Sequence, residues 1–349
     1  MNFKKEELNM NKALITGITG QDGYFLSQLL LSKGYEVHGL LRRNSTMKKG
    51  TFDLLPEKIQ KQITLHYGDI TDTNFISNLI QTLKPDEIYH LASQSFVSYS
   101  FENTSSTYFT NIDGTLNICN GIKLTSPNTK MYFSASSEMF GQPLIIPQNE
   151  YTPFLPKNPY AISKLASYWT VKAYRNAYKL FMSNGILFNH ESEVRGAEFV
   201  TRKISLAIAK IYYGSTQPLI LGNINAIKDW GYAKDYVEGM YNINQYEIPD
   251  DFVLGSGESH TVKDFIDIAF QTIGININWI GQGLNEVGIS NEKIFVKVNK
   301  EFYRPLESDN YCADYKKAYT KLNWKPTIKF KELVKLMITN DLKLEGEKQ

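Results

Sequence analysis

Cysteine is scarce in this chain: Cys119 and Cys312 are the two in 349 residues. They lie far apart and at no metal-like spacing, which argues against a disulfide framework or a zinc site. Both read as small packing residues in a reducing compartment. The five histidines (His38, His66, His90, His190 and His260) are scattered and form no H-x-x-x-H pair, so no metal is expected. No apolar run approaches the roughly 20 residues of a membrane helix, and residues 1–11 are too charged for a signal peptide. The formal net charge is +2, without a basic block or stripe, so neither nucleic acid nor an anionic membrane is an expected partner. Internal repeats and low-complexity segments are lacking as well. What these absences leave is a soluble, cytoplasmic protein, long enough for a main domain and a second, smaller one.

What is present begins with Tyr160-Ala-Ile-Ser-Lys164. A Tyr and a Lys four apart share one helix face, one turn from each other. A cation held that close stabilises phenolate and is expected to pull the tyrosine below its usual value of about 10. A tyrosine tuned this way takes a proton from a sugar or alcohol hydroxyl while hydride leaves the same carbon. Upstream, Ser136-Ser137-Glu138 adds a hydroxyl and a carboxylate, which would extend oxidation to elimination of water. Alone, the first pair also fits a plain surface helix, and Glu138 also fits a helix cap. Context decides.

The context starts at Lys12. The apolar run Ala13-Leu-Ile15 leads into Gly17-Ile-Thr-Gly20-Gln21-Asp22-Gly23, followed by Phe25, Leu26, Leu29, Leu30 and Leu31 at helix-like spacing. Strand, glycine turn and helix set backbone N–H groups and a helix N-terminus against a pyrophosphate. The spacing is G-x-x-G-x-x-G rather than G-x-G-x-x-G. A second strand, residues 35–41, ends in Arg42-Arg43, where an NAD-selective site would offer Asp or Glu. Arginines there pair with a ribose 2′-phosphate, so NADP is the expected cofactor, with a solvated basic turn as the alternative. A third strand from Ile63 ends in Gly68-Asp69-Ile70. The Asp69 carboxylate is placed to accept the adenine amino group, or to cap the next helix. A fourth strand from Glu87 runs into a Ser/Gln loop that holds Ser95. A fifth, Lys130–Ala135, has Ser136 and Glu138 just past its carboxyl end, the side on which open α/β sheets bind ligands.

Strands alternate with helical segments to about residue 190, the pattern of a doubly wound parallel sheet, with a sixth strand at residues 185–188. After it the texture turns polar and irregular through Gly196. Residues 199–213 then read as a helix, 217–221 as a short strand and 251–257 as a further strand. The expected division is a cofactor-binding domain of residues 12–188 plus about 229–262, and a substrate-binding domain of 189–228 plus about 263–342. Residues 1–11 and 343–349 are expected to be flexible ends.

These residues resemble the extended short-chain dehydrogenase/reductase superfamily, and within it the GDP-mannose 4,6-dehydratase group. The likeness runs from about Lys12 to Met337. It is carried by Ala13–Gly23, Ser136-Ser-Glu-Met-Phe-Gly141, Pro159–Lys164, Asn189-His-Glu-Ser192, Val200-Thr-Arg-Lys203, Asp229-Trp-Gly231, Tyr303-Arg-Pro305 and Leu322–Pro326. The resemblance implies an α/β, Rossmann-type fold: a doubly wound parallel sheet with a smaller, discontinuous C-terminal substrate-binding domain. It implies a lyase acting on a GDP-linked sugar with NADP, for surface polysaccharide or deoxysugar synthesis, in a homodimer or homotetramer. In that reading Tyr160 deprotonates the 4-hydroxyl as NADP takes hydride from C4. Glu138 removes the C5 proton and helps expel the 6-hydroxyl, and hydride returns to C6. Lys164 holds the nicotinamide ribose, and Ser136, where the group usually has Thr, bonds the 4-hydroxyl. Ser95 and Asn189 fall at substrate positions, the latter at the diphosphate; Lys203, Arg304 and Glu307 fall at the GDP site. Arg195 lies in a loop that contacts cofactor or substrate. His190 falls beside the nicotinamide, or serves as a structural histidine.

Departures cluster around the sugar. The loop usually written Pro-Arg-Arg-Gly-Glu-Thr reads Glu193-Val-Arg-Gly-Ala-Glu198, and the Arg before Asp229-Trp230 is Lys228, a point charge without the planar fork. These leave the reaction type intact and the sugar open between GDP-mannose and a GDP-manno-heptose. A C4 dehydrogenase or epimerase of a nucleotide sugar, and a non-catalytic NADP-binding protein, stand as alternatives.

Overall fold

The computed structural model describes residues 10–43, 45, 46, 48–302 and 310–348. Seven strands form one parallel sheet: β1 (Lys12–Thr16), β2 (Glu36–Leu41), β3 (Ile63–Tyr67), β4 (Glu87–His90), β5 (Lys130–Ser136), β6 (Met182–Leu187) and β7 (Asp251–Leu254), in the order β7-β6-β5-β4-β1-β2-β3. The order reverses beside β1, which pairs with β2 on one side and β4 on the other. The carboxyl ends of β1 and β4 therefore open onto the crevice where such sheets take ligands. The sixth strand starts three residues earlier than the sequence suggests, because Met182, Ser183 and Asn184 pair in register with Met131, Tyr132 and Phe133.

Both sheet faces are covered, which is why the inner strands are buried along most of their length rather than alternating buried and exposed. From β1, Ala13 and Ile15 point to one face, against Phe25, Leu26 and Leu30 of α1 (Gln21–Ser32) and the apolar side of a later helix that includes Val237, Met240 and Ile243. Leu14 points to the other, against α2 (Thr73–Leu83), α3 (Gly114–Thr125) and α4 (Pro159–Tyr178). That alternation is the period-two geometry of a strand.

A third core lies off the sheet. It joins α5 (Val200–Tyr212), the helix Val262–Thr272 and the helix Phe330–Gly346 with four short strands and with Trp230, which stacks on Phe330 at 5.8 Å. Two sequence expectations change here. Residues 311–324, expected in the substrate-binding domain, return to the sheet: Tyr311 and Ala313 pack in one sheet core, Ala318 and Trp324 in the other. The charged tail from Lys343, expected to be a flexible end, continues the last helix through Gly346, because Leu333, Val334, Met337 and Ile338 bury that helix and Leu342 packs on the same core.

Edge strand β7 is anchored by Asp251. Its carboxylate accepts bonds from Arg175 (2.8 and 3.0 Å), Tyr168 (2.9 Å) and Asn184 (2.8 Å). Burial pushes this carboxyl up, but the Arg175 bonds and charge outweigh it and hold it at about 2. Removing one member of such a buried pair strands the other. Asp251→Ala should therefore cost roughly 3–5 kcal/mol in urea denaturation at pH 7. The folded value lies below the ordinary 3.8, so wild type carries this stability above 3.8 and loses it as pH falls toward about 2. The gap between the two proteins should close over that window.

Candidate active site

The carboxyl ends of the strands and α5 enclose one cavity of about 890 Å³. Its floor is the turn after β1. Gly17 takes φ +75°, and a Cβ there would meet the Ala92 backbone at 2.8 Å, so no larger residue fits. Gly20 is the N-cap of α1 and supplies no side-chain cap, leaving the first turn's N–H groups for an anion. A Cβ on Gly23 would lie 2.5 Å from the Ile18 backbone, which is what lets α1 start so close to β1.

Gln21 and Asp22 also line the cavity, but their side chains reach across to the segment after β6. Gln21 Nε2 donates to the His190 carbonyl at 3.0 Å, and Ser192 Oγ donates to Gln21 Oε1 at 2.7 Å. His190 Nε2 lies 3.0 Å from both Asp22 oxygens, while its Nδ1 meets the Phe188 carbonyl at 2.8 Å and its ring stacks on Tyr236. Burial works against the His190 cation, yet the Asp22 charge overcomes it and raises the imidazole above its ordinary value; Asp22 is lowered in turn. His190 thus has the partners of a structural histidine while forming part of the cavity wall.

Ser136 ends β5 and caps the tight turn Ser137–Phe140, its Oγ accepting from the Glu138 N–H at 3.2 Å. Asn158 caps α4, accepting from the Ala161 N–H at 2.8 Å, with Pro159 in the first turn. This start places Tyr160 and Lys164 one turn apart on the buried side. Asn158 Nδ2 also donates to Glu138 Oε2 at 3.1 Å, and Lys228 Nζ lies 3.9 Å from Glu138 Oε1. Hydroxyl, carboxylate, phenol and amine converge on one wall.

The expected direction for Tyr160 is reversed. Burial pushes it up to about 12; the Ser136 hydroxyl and the Arg195 charge pull it back and the Glu138 charge pushes it further. Lys164 is pulled down to about 7 by burial, against a smaller pull from Asp22. Its ammonium donates to the Ser134 carbonyl at 2.8 Å and stands 6.0 Å from the centre of the Tyr160 ring. For each group burial is the largest influence and outweighs the charges and bonds around it.

The remaining candidates spread along the same cavity. Arg42, Asp69 and Ile70 lie at the ends of β2 and β3. Asp69 does not cap the next helix, since Asp72 does so through the Phe75 N–H; Asp69 closes a turn with Thr71. Ser95, Asn189 and Arg195 line the middle, Arg195 paired with Glu191 at 3.1 Å and stacked over Phe199. Lys203 lies at the far end, 3.9 Å from the centre of the Phe302 ring. Arg304 and Glu307 fall outside the described residues. Phe101, Asn223 and Phe302 line the cavity too without any signal in the sequence, being single residues in short helical turns or a loop. Asn158 was findable, since Asn-Pro before a helix is a start signal. Away from this wall, Cys119 is buried in a core, but Cys312 is only half-buried, its thiol 3.6 Å from the Gly257 carbonyl, so it is not the packing residue expected.

The profile of GDP-mannose 4,6 dehydratase matches residues 14–337. The chain belongs to that family. A GDP-mannose 4,6 dehydratase from Cricetulus griseus is 48% identical over 340 residues, covering 95% of this chain and 91% of its own. One from Homo sapiens is 47% identical over 342 residues, covering 96% and 92%. Among solved structures, a dTDP-glucose 4,6-dehydratase from Bacillus anthracis in complex with NAD superposes with a TM-score of 0.78 at 17% identity, covering 96% of this chain and 98% of that one. That last likeness is one of fold.

The Asp22–His190 pair gives a direct test. In Asp22→Asn the charge that raises His190 is gone and burial acts unopposed by it. The His190 titration midpoint, followed by NMR, should move from above 6.5 in wild type to below it.

Proposed function

We propose that this protein removes water from GDP-mannose, or from a GDP-manno-heptose, to give the 4-keto-6-deoxy sugar, using NADP. The observation that carries this reading is the convergence of Ser136, Glu138, Tyr160 and Lys164 on one wall of a cavity that opens at its other end on the uncapped glycine turn. An oxidoreductase acting at C4 alone has no use for a second base beside its tyrosine. Family membership supports the same reading, and the carboxylate bonded to Asn158 supports it independently.

The residues fit a dinucleotide: Gly20 gives the first turn of α1 no side-chain cap, and Arg42 lines the cavity at the end of β2, where a ribose phosphate would lie. When bound, the nicotinamide supplies a place for the C4 hydride to go and to return from, at C6. The protein's own share is proton transfer. Tyr160, at about 12 in its buried wall, is a strong base as phenolate, and it takes the 4-hydroxyl proton while Ser136 bonds the same oxygen. Once C4 is a carbonyl, the C5 proton is acidic. Glu138 takes that proton, and the C5 electron pair forms the C5–C6 double bond as the C6–O bond breaks. The same proton then leaves with the 6-hydroxyl as water, and as C6 is reduced C5 takes a proton equal to the one Tyr160 gained from the 4-hydroxyl, which closes the balance. Lys203 at the far end, and Lys228 nearer Glu138, offer charge to a diphosphate.

Purified protein given GDP-mannose, with GDP-manno-heptose in parallel, should convert one of them to a product lighter by one water, by mass spectrometry. Glu138→Gln should lower that rate about 10²–10⁴-fold. If instead a keto sugar of unchanged carbon skeleton accumulates with reduced cofactor, the protein is a C4 dehydrogenase.

Cofactor choice is tested separately. Arg42→Ala should weaken NADP binding about 10- to 100-fold, the worth of a charge-assisted bond, and leave NAD binding nearly unchanged by calorimetry. Equal losses for both would assign Arg42 to the solvated turn.

A further inference from the structure

Asn158 is 2% exposed, lies just outside the helix that carries Tyr160 and Lys164, and uses both ends of its amide. Oδ1 accepts the Ala161 N–H at 2.8 Å, and Nδ2 donates to Glu138 Oε2 at 3.1 Å. The reverse orientation of the amide would set an NH₂ against an N–H and an oxygen against a carboxylate, so the network fixes it. Ser, Thr and Asp cap helices about as well as Asn. Only Asn can accept from the helix and donate to the carboxylate through two atoms of one rigid plane.

We propose that Asn158 is the positioning residue of the elimination step: it fixes Glu138 relative to Tyr160, so that one rigid element sets the places of both proton-transfer groups. This rests on the reading of Glu138 as the C5 base. The Glu138 backbone is already held by Ser136 Oγ at 3.2 Å, which leaves the carboxylate's own rotation to be set. Asn158 takes Oε2. Oε1, which has Lys228 Nζ 3.9 Å away, is then the oxygen that meets the C5 proton.

The test separates the two half-reactions in Asn158→Asp and Asn158→Ser, with Glu138→Gln as reference, all given GDP-mannose. Reduced cofactor formed in a single turnover reads C4 oxidation. Deuterium taken up at C5 from heavy water, together with water loss, reads elimination. Both Asn158 variants keep a capping atom, so C4 oxidation should stay within a few-fold of wild type while elimination falls about 10- to 100-fold, the worth of a hydrogen bond to a charged group. In Asn158→Asp a second carboxylate faces Glu138, so the rising limb of the elimination pH profile should also move to higher pH. The Ser variant, adding no charge, should leave that limb near its wild-type position.

If both variants eliminate at the wild-type rate while Glu138→Gln does not, Asn158 has no positioning role and this proposal fails alone. It fails in the same way if oxidation and elimination slow equally, which is the mark of a helix start merely disturbed. If Glu138→Gln still eliminates, the base is elsewhere and the reading beneath the proposal fails with it.

Discussion

The arrangement of this site depends on a clamp between the first turn of α1 and the segment that follows β6. Gln21 and Asp22 leave the glycine turn and bind the chain at 190–192 through an amide–carbonyl bond, a hydroxyl–amide bond and an imidazole–carboxylate pair. Residues 189–191 pair in turn with Trp230–Tyr232, and Trp230 packs in the core off the sheet. The turn offered to a dinucleotide and the lobe offered to a sugar are thus fixed to each other through a few buried polar side chains. Such bonds are directional and strong in a low-dielectric surround. A purely apolar contact would join the same pieces without setting their angle.

Burial then governs the chemistry. Tyr160 rises and Lys164 falls because burial costs more than the Ser136 bond and Arg195 charge return to the one, and the Asp22 charge to the other. A phenol there holds its proton tightly, and the Lys164 ammonium gives one up more readily than usual.

Much of this was legible in the sequence, for reasons that can be named. Strand positions followed from apolar runs buried on both faces, and the glycine turn from its place between strand and helix. The catalytic candidates followed from spacings of a few residues at strand and helix ends, where local structure fixes what is near what. What escaped was set by distant partners. Asp22 meets His190 from 168 positions away, and Glu138 meets Asn158 from 20. Tyr311 and Trp324 return to the sheet cores although their neighbours in sequence build another. The direction of the Tyr160 shift was missed because helical spacing reveals the neighbour but not the depth of burial.

Lys228 bears on how Glu138 is held. A guanidinium at that place would present a planar fork and match both carboxylate oxygens of Glu138 at once. An ammonium is a point charge, and at 3.9 Å from Oε1 it supplies attraction without taking the second oxygen. Asn158 is then the group that holds Oε2. A lysine at 228 and an asparagine at 158 are one solution to holding a single carboxylate: the field comes from one lobe and the orientation from the other.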